Sequence, residues 1–396
     1  MRRYPRQFWY LIFGMLVSTT GMGMIWPFLT IYLRQTLNLP LATITSLLML
    51  DSIMSVIATV IAGPVADRFG RKWVMVISLA MVGVIYLVMS SATSLSLFAV
   101  LMALRGAFMP LYRIGADSMV ADMIPNEQRV DAYSISRTVN NIGIALGPTA
   151  GGFVTGSSYT LAFFIAAICL AAFAIFITFL MRETLPDEVR AHPAPLRANV
   201  YNDVIKDRYF VSFVASFTLV SMGASSVFTL LTAYMKDNFG ILERYSGFVM
   251  AVNALMVIFF QYAVTRVTRR HPPVAVMIVG GLLYAAGIGG MAFGRTFPHF
   301  AVSMAVMTLG ELVLMPTSTT YAANLAPAAQ RARYMSFYNL GWGISHGFGP
   351  VVAGVLNDSI SPAAMWWGGM AWSLLGALMF VVLRRRQKRA VASPTA

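Results

Sequence analysis

Five ionisable side chains fall inside stretches of the sequence that are otherwise apolar: Asp51, Arg105, Arg113, Asp117 and Glu311. At the centre of a membrane helix each such charge costs on the order of 2.5–3.5 kcal/mol, so each needs a partner, water or a function. A carboxyl group in a low-dielectric environment has its pKa raised, which lets it exchange protons near neutral pH. Glu311 and Asp51 are therefore the candidates for reversible proton binding.

Each of these residues also has a structural interpretation. Glu311 could hydrogen-bond a neighbouring helix, and Asp51 could pair with an arginine or face an outer vestibule. Arg105 could tune a nearby acid such as Asp51 or be purely structural. Arg113 and Asp117 have i,i+4 spacing on one helix, which favours a self-satisfied pair over a lining of the substrate pathway.

The composition indicates where these residues lie. The chain has 396 residues, of which 58% are apolar and 11% charged, whereas soluble proteins carry roughly 25% charged residues. It has a single cysteine, which excludes a disulfide scaffold. Since a spanning helix needs about 20 apolar residues, we predict an all-α polytopic membrane protein with twelve transmembrane helices in two pseudo-symmetric six-helix bundles. The predicted spans are roughly 8–33, 42–66, 73–92, 95–120, 131–155, 159–181, 209–235, 245–266, 273–293, 298–323, 334–356 and 362–383.

The polar segments divide the chain and orient it. We predict an N-terminal bundle at 1–181, a cytoplasmic connector at 182–208, a C-terminal bundle at 209–383 and a basic cytoplasmic tail at 384–396. With a cytoplasmic N-terminus, 23 basic residues fall on one side and 4 on the other. This bias predicts that both termini are cytoplasmic.

An internal repeat supports the two halves. Residues 125–152 align without gaps on residues 327–354 at an offset of 202, and the same offset places Asp51 on Asn253. Two duplicated halves with the same topology predict a pseudo-two-fold axis along the membrane normal, with the substrate between the halves near the midplane.

Two glycine-containing segments carry the recognisable motifs. The loop after the second span reads GPVADRFGRK from residue 63, where Gly70 permits a tight turn and Asp67 can cap a helix or receive an arginine. The fifth span reads GIALGPTAGG from residue 143, with small residues at i, i+4 and i+8 that form a groove for close helix packing. Pro148 in this span frees a backbone carbonyl group and introduces a kink.

On these two segments the chain resembles the major facilitator superfamily. The first segment resembles the family's cytoplasmic loop signature, and the second is similar to the antiporter signature of the drug/proton antiporter branch. The segment from Thr308 to Glu311 and the pattern around Asn253 resemble the lactococcal multidrug transporter subgroup. The segment around Arg105 is a partial match to the fourth-helix signature, whose arginine the family associates with proton transfer.

The resemblance implies roles for the motif residues. It implies a proton-sensing or cation-binding role for Glu311, and it implies that Asp67, Arg71 and Asp122 form a charge network that latches the cytoplasmic side closed. The cytoplasmic gate then comprises Gly63, Asp67, Arg68, Gly70, Arg71, Lys72 and Asp122. The antiporter helix motif comprises Gly143, Gly147, Pro148, Gly151 and Gly152. The cavity or substrate candidates are Trp26, Arg113, Asp117, Asn140, Asn141, Asn253 and His346, the last also readable as a helix-packing histidine.

The sequence thus predicts a proton-coupled multidrug efflux antiporter that exports lipophilic and cationic small molecules by rocker-switch alternating access. The alternative is a dedicated exporter of one metabolite or lipid on the same fold. We expect no enzymatic activity, no metal, no cofactor and no nucleic acid partner, and we expect the proton gradient to drive transport. We expect a monomer in contact with membrane lipids, in the cytoplasmic membrane of a prokaryote.

Overall fold

The computed structural model describes residues 4–185, 202–327 and 331–392, and every element of secondary structure in these ranges is helical. The fold class is therefore all-α, as the sequence predicts. One short 3-10 helix, Trp26–Phe28, joins the first two α-helices. Within the described ranges the fourteen α-helices are α1 (Arg6–Ile25), α2 (Leu29–Leu37), α3 (Leu41–Phe69), α4 (Arg71–Met89), α5 (Leu95–Met123), α6 (Asn126–Thr155), α7 (Tyr159–Leu180), α8 (Asn202–Lys206), α9 (Arg208–Phe239), α10 (Glu243–Thr268), α11 (Pro273–Met291), α12 (Phe297–Leu325), α13 (Arg331–Ser359) and α14 (Ala364–Ala392).

The helix ends follow local chemistry. Ser94, Ser158 and Asp207 precede α5, α7 and α9, and each side chain accepts a hydrogen bond from a first-turn backbone N–H. Asn38 and Gly240 end α2 and α9 with positive φ angles of 50° and 63°, a backbone conformation that asparagine and glycine tolerate better than other residues. These polar ends separate long apolar helices.

Among the described residues, ten helical segments are long and apolar enough to cross a membrane. The first of them runs from Arg6 to Leu37 and includes the 3-10 turn at Pro27. The remaining two long helices, α6 and α13, are less apolar because they contain many Gly, Ser, Asn and Arg residues. They contain most of each copy of the internal repeat, so both copies lie mainly in long helices that are less apolar than these ten segments.

Contacts within the chain define two compact units. The first unit comprises Met1–Leu39, Leu47–Arg197 and Leu242–Ala254. In it, α1 packs against α6 and α7, and α4 packs against α5 and α7. Its buried core is formed by aromatic and aliphatic side chains such as Phe8, Phe98 and Phe163.

The second unit comprises Pro40–Ser46, Ala198–Ile241 and Leu255–Ala396. Most side chains of α9 are buried, because α9 packs against α13 and α14, and α14 also packs against α11. The segment that the sequence assigns to a basic tail continues α14 as far as Ala392. Residues 186–201 of the predicted connector and residues 393–396 of the predicted tail lie outside the described residues.

Large apolar side chains remain exposed on the spanning helices of both units. Phe179 is 81% exposed and Tyr262 is 80% exposed. An apolar surface of this kind is unusual in a soluble protein but suits contact with lipid. Among the described residues, the buried side chains that carry a charge are Asp51, Arg71, Arg105 and Glu243, and the candidate site is built around the first three.

Candidate functional site

A buried ion pair joins α3 to α5 in the first unit. The Arg105 Nη2 atom donates to Asp51 Oδ2 at 2.8 Å, and the two residues are 8% and 6% exposed. Asp51 is one of the two residues that the sequence suggests for proton binding, and the structure places it against an arginine. A buried charge of this kind is tolerated because its partner offsets the loss of hydration.

The pair is only half satisfied by hydrogen bonds. Among the described residues, Asp51 Oδ1 and Arg105 Nε are buried and have no hydrogen-bond partner. A carboxylate with one oxygen in an ion pair and the other unpaired can add a proton at the unpaired oxygen without first breaking a hydrogen bond. This is the chemistry that reversible proton binding requires.

Two aromatic residues complete the surroundings of Arg105. The Arg105 Cζ atom lies 4.4 Å from the centroid of the Trp26 ring, in a cation–π contact. The side chain of Arg105 also interacts electrostatically with the hydroxyl group of Tyr86 of α4. Trp26, which the sequence suggests as a substrate contact, therefore packs on the arginine, and Tyr86 is a member of the cluster that the sequence analysis missed.

Arg113 and Asp117, the second charged pair of α5, are arranged differently. Both side chains are exposed and lie one helical turn apart. In the described part of the chain no ion pair within 4 Å joins them, but Arg113 interacts electrostatically with Asp117, so the self-satisfied pair stays a prediction. The i,i+4 spacing places two residues on one face, but it does not force two long side chains together when each is accessible.

The glycine stripe of α6 lies against α1. A Cβ atom added at Gly147 would lie 2.7 Å from the Gly23 Cα atom and 2.8 Å from the Thr20 carbonyl oxygen, so only glycine permits this approach. Gly143 and Gly151 face Thr19 and Met24 of the same helix. The helix α6 continues through Pro148.

The remaining polar residues of α6 lie close to this crossing. Asn140 accepts a hydrogen bond from the Thr19 hydroxyl at 3.1 Å, so it joins α6 to α1. Asn141 is half-buried on the same helix. Gly152, at the other end of the stripe, lies against the carbonyl group of Glu243 at the start of α10, a segment that belongs to this unit.

A second charge cluster lies where α3 ends and α4 begins. Arg71 Nη2 lies 3.3 Å from Asp67 Oδ1, and Arg71 Nη1 contacts Asp122 at the end of α5. The same Arg71 atom donates to the Ser118 carbonyl oxygen at 3.2 Å. The structure thus brings together the three residues of the predicted charge network.

The turn between α3 and α4 positions this cluster. Gly70 has a φ of 94°, which side-chain-bearing residues rarely adopt. Lys72 donates to the Thr178 carbonyl oxygen at 2.7 Å, while the Arg68 guanidinium lies beside the Phe69 ring. Gly63 falls within α3, and its surroundings are outside what the structure describes.

Glu183 is a member of this cluster that the sequence analysis missed. It was assigned to the connector, but its Oε1 atom accepts from the backbone N–H of Arg71 at 3.0 Å, and its Oε2 atom accepts from that of Lys72 at 3.2 Å. The adjacent Thr184 hydroxyl donates to Asp122 Oδ2 at 3.0 Å. A carboxylate just after a span, within reach of a helix that begins with a glycine turn, is the signal that could have identified it.

Replacing Glu183 with alanine is expected to lower the free energy of unfolding by about 1 kcal/mol, because the carboxylate caps the positive end of α4. The E183Q variant keeps the acceptor oxygen and should lose about half as much. Thermal unfolding of the purified protein in detergent measures both effects. An E183A variant as stable as the wild type would show that this cap contributes nothing.

Glu311, the other proton candidate, lies in the second unit at the middle of α12. Its side chain is partly exposed, and it interacts electrostatically with the buried Tyr284 of α11. Gln261 of α10 donates to the carbonyl oxygen of Leu312, the next residue, at 3.2 Å. Glu311 therefore lies among polar groups of two neighbouring helices.

The last two predicted site residues, His346 and Asn253, lie on α13 and α10. The Nδ1 atom of His346 lies 3.0 Å from the Trp342 carbonyl oxygen of its own helix, and the two rings lie 5.4 Å apart. This geometry agrees with a helix-packing histidine. Asn253 is buried in the segment of α10 that belongs to the first unit. Among the described residues, no group of three or more His, Cys, Asp or Glu side chains could hold a metal ion.

Sequence comparison identifies the family. The sequence model of the Major Facilitator Superfamily matches residues 11–271 and 213–396. The chain belongs to the Major Facilitator Superfamily. This membership confirms the resemblance drawn from the loop and glycine motifs.

Curated members of the Major Facilitator Superfamily resemble the chain over most of its length. A Na(+), Li(+), K(+)/H(+) antiporter of Planococcus maritimus is 28% identical over 400 residues, which cover 93% of this chain and 92% of the relative. The multidrug resistance protein 2 of Bacillus subtilis is 24% identical over 368 residues, with 88% of each chain covered. The drug/proton antiporter branch is consistent with these relatives.

A solved structure of the superfamily shows the same fold. The nucleoside transporter NupG superposes with a TM-score of 0.81 at 16% sequence identity, covering 96% of this chain and 99% of the other. This likeness extends to the fold alone. The chain is a membrane-embedded transporter of the superfamily, and its relatives imply small-molecule substrates.

Proposed function

We propose that this transporter is a proton-coupled multidrug efflux antiporter that exports lipophilic and cationic small molecules. The observation that carries the proposal is the Asp51–Arg105 pair, in which a buried carboxylate keeps one oxygen unpaired. A proton that binds there neutralises a buried charge and alters the interaction between α3 and α5, which is how proton binding can be coupled to movement.

The proposed cycle is alternating access of the rocker-switch type. Cargo enters from the cytoplasm or the inner leaflet while Asp51 and Glu311 are deprotonated. Protons that enter from the outside then displace the cargo and bias the return. The Asp67–Arg71–Asp122 network holds the cytoplasmic end closed in one of the two states. Glu183 stabilises this network by accepting hydrogen bonds from the backbone N–H groups of Arg71 and Lys72.

Two further features support antiport of drugs. The glycine stripe of α6 packs closely on α1, and close packing limits ion leak. The multidrug resistance protein of Bacillus subtilis is similar along most of the chain. In this proposal, transport is driven by the proton gradient and needs no cofactor. The transporter is a monomer in contact with lipids, and it lies in the cytoplasmic membrane with both termini in the cytoplasm.

Two other kinds of cargo are compatible with the same proton coupling. A dedicated exporter of one metabolite or lipid would use the same coupling with a narrower cargo range. Exchange of monovalent cations for protons is favoured by the similarity to the Planococcus antiporter. A transport assay that tests several cargoes distinguishes these two functions from multidrug efflux.

Everted membrane vesicles or proteoliposomes provide that assay. Ethidium, a lipophilic cation, should be transported when a proton gradient is imposed, and transport should stop when the gradient is collapsed with an ionophore. Several unrelated lipophilic cations should compete with ethidium. If only sodium or potassium ions dissipated the gradient, the chain would be a cation antiporter and the multidrug proposal would be wrong.

The E311Q variant is expected to lose gradient-driven ethidium transport almost completely, because the amide cannot release a proton. A matched control is D358N. Asp358 is exposed in the same unit and accepts a hydrogen bond from the Ala42 backbone N–H, which the amide oxygen can also accept. Transport rates in proteoliposomes with equal protein content measure the effect. If E311Q transported at the rate of D358N, the proton role of Glu311 would be ruled out.

A further inference from the structure

The arginine of the buried ion pair has more contacts than the pair itself requires. Arg105 makes a hydrogen bond to Asp51 and a cation–π contact with Trp26, and it interacts electrostatically with the Tyr86 hydroxyl group. Tyr86 is 1% exposed. The four residues come from α3, α4, α5 and the 3-10 turn after α1.

These contacts matter most when Asp51 is neutral. Addition of a proton to Asp51 Oδ1 converts the carboxylate to a carboxylic acid, while Arg105 keeps its charge because a guanidinium does not deprotonate in proteins. The buried cation then loses its counter-charge. The Tyr86 oxygen and the face of the Trp26 ring are the groups left to stabilise it.

We propose that Tyr86 and Trp26 are positioning residues that hold Arg105 while Asp51 carries the proton. The inference rests on the proposed proton role of Asp51 and adds two residues to it. Without these contacts Arg105 would depend on the carboxylate alone, and proton binding to Asp51 would require a higher proton concentration. Tyr86 and Trp26 thus set the range of external pH over which the transporter works.

The surroundings of the cluster limit which other groups could have this effect. In the described part of the chain, Tyr86 is the titratable side chain that contacts the pair. Across α4, the neighbour of Tyr86 is the apolar ring of Phe163 on α7, 6.0 Å away between centroids. Tyr112, further along α5, bonds the Ser18 hydroxyl at 3.1 Å instead.

The test compares Y86F with Y112F, since both substitutions remove one buried phenol hydroxyl from the same unit. The initial rate of gradient-driven ethidium transport is measured in proteoliposomes over a range of external pH. In Y86F the proton concentration that gives half the maximal rate should rise about tenfold, equivalent to about 1.4 kcal/mol. At the most acidic pH its rate should return to that of the wild type. W26L should shift the profile in the same direction, and Y112F should not.

Infrared titration of the purified protein gives a second readout that does not depend on transport. The carboxylic acid band of Asp51, assigned by its loss in D51N, should appear in Y86F only at about tenfold higher proton concentration. Equal profiles in Y86F, Y112F and the wild type would overturn the inference. A Y86F rate that is reduced equally at every pH, with an unshifted band, would show a merely structural role. Absence of gradient-driven transport in the wild type would instead overturn the proposed function, and the infrared titration would still decide the role of Tyr86.

Discussion

Asparagine at position 51 is expected to cost the protein about 3–5 kcal/mol of unfolding free energy and all of its proton-driven transport. The substitution removes the counter-charge of Arg105, and an uncompensated buried charge is destabilising by that amount. The R105Q variant should have a similar cost, because it leaves the Asp51 carboxylate buried without a cation. Chemical or thermal unfolding in detergent measures stability, and proteoliposomes measure transport.

The double variant D51N/R105Q separates stability from coupling. Two amides can hydrogen-bond each other without any buried charge, so the double variant should lose much less stability than the sum of the two single variants. It should still fail to couple transport to protons, because neither amide titrates. Proton-coupled transport at the wild-type rate in the double variant would exclude Asp51 as the proton site. Single variants as stable as the wild type would contradict the ion pair itself.

Alanine at position 106 is expected to destabilise the protein by about 1–3 kcal/mol and to reduce transport severely. A Cβ atom on Gly106 would overlap the carbonyl group of Asp51, so α5 and α3 would have to move apart. The backbone cannot give way as a flexible side chain can. Since Arg105 is the neighbouring residue, the same displacement would weaken its contact with Asp51.

Gly83 of α4 provides the matched control for Gly106. A Cβ atom there would lie 3.5 Å from the Ala167 carbonyl oxygen and 3.7 Å from the Leu170 Cβ atom, which are ordinary contact distances. The G83A variant should therefore be as stable as the wild type, or more stable by up to about 1 kcal/mol, because alanine favours the helix. Unfolding and ethidium transport should be measured on both variants. Equal stability of G106A and G83A would contradict the close approach of α3 and α5.

The fold could be predicted from the sequence because a membrane limits the possible structures. Apolar stretches of spanning length must be helical in lipid, and the helices occur where the stretches predict them. The predicted ends of the helices were less accurate than their positions. For example, α3 continues to Phe69 and α5 continues to Met123, because polar residues can extend a helix into the headgroup region without leaving their own hydrogen bonds.

The site was only partly predictable because its residues come from distant parts of the chain. Asp51 and Arg105 are conspicuous since charges are rare in spans, so their pairing could be suggested. Tyr86 gave no such signal, because an aromatic residue in an apolar helix is unremarkable. Glu183 was missed for a similar reason, since a carboxylate after a span resembles a loop charge. Which groups these residues contact depends on helix packing, which residue spacing does not encode.

The two short segments that join the opposite unit have a consequence for protein engineering. Pro40–Ser46 at the start of α3 belongs to the second unit, and Leu242–Ala254 at the start of α10 belongs to the first. The Ala42 backbone N–H donates to Asp358 at 2.7 Å, and the Glu243 carboxylate accepts from the Tyr159 hydroxyl at 3.0 Å. A chimera that exchanges whole halves at the connector would therefore mismatch both helix starts. The transferable module is each compact unit, including the short segment from the other half of the sequence, and not the half-sequence on one side of the connector.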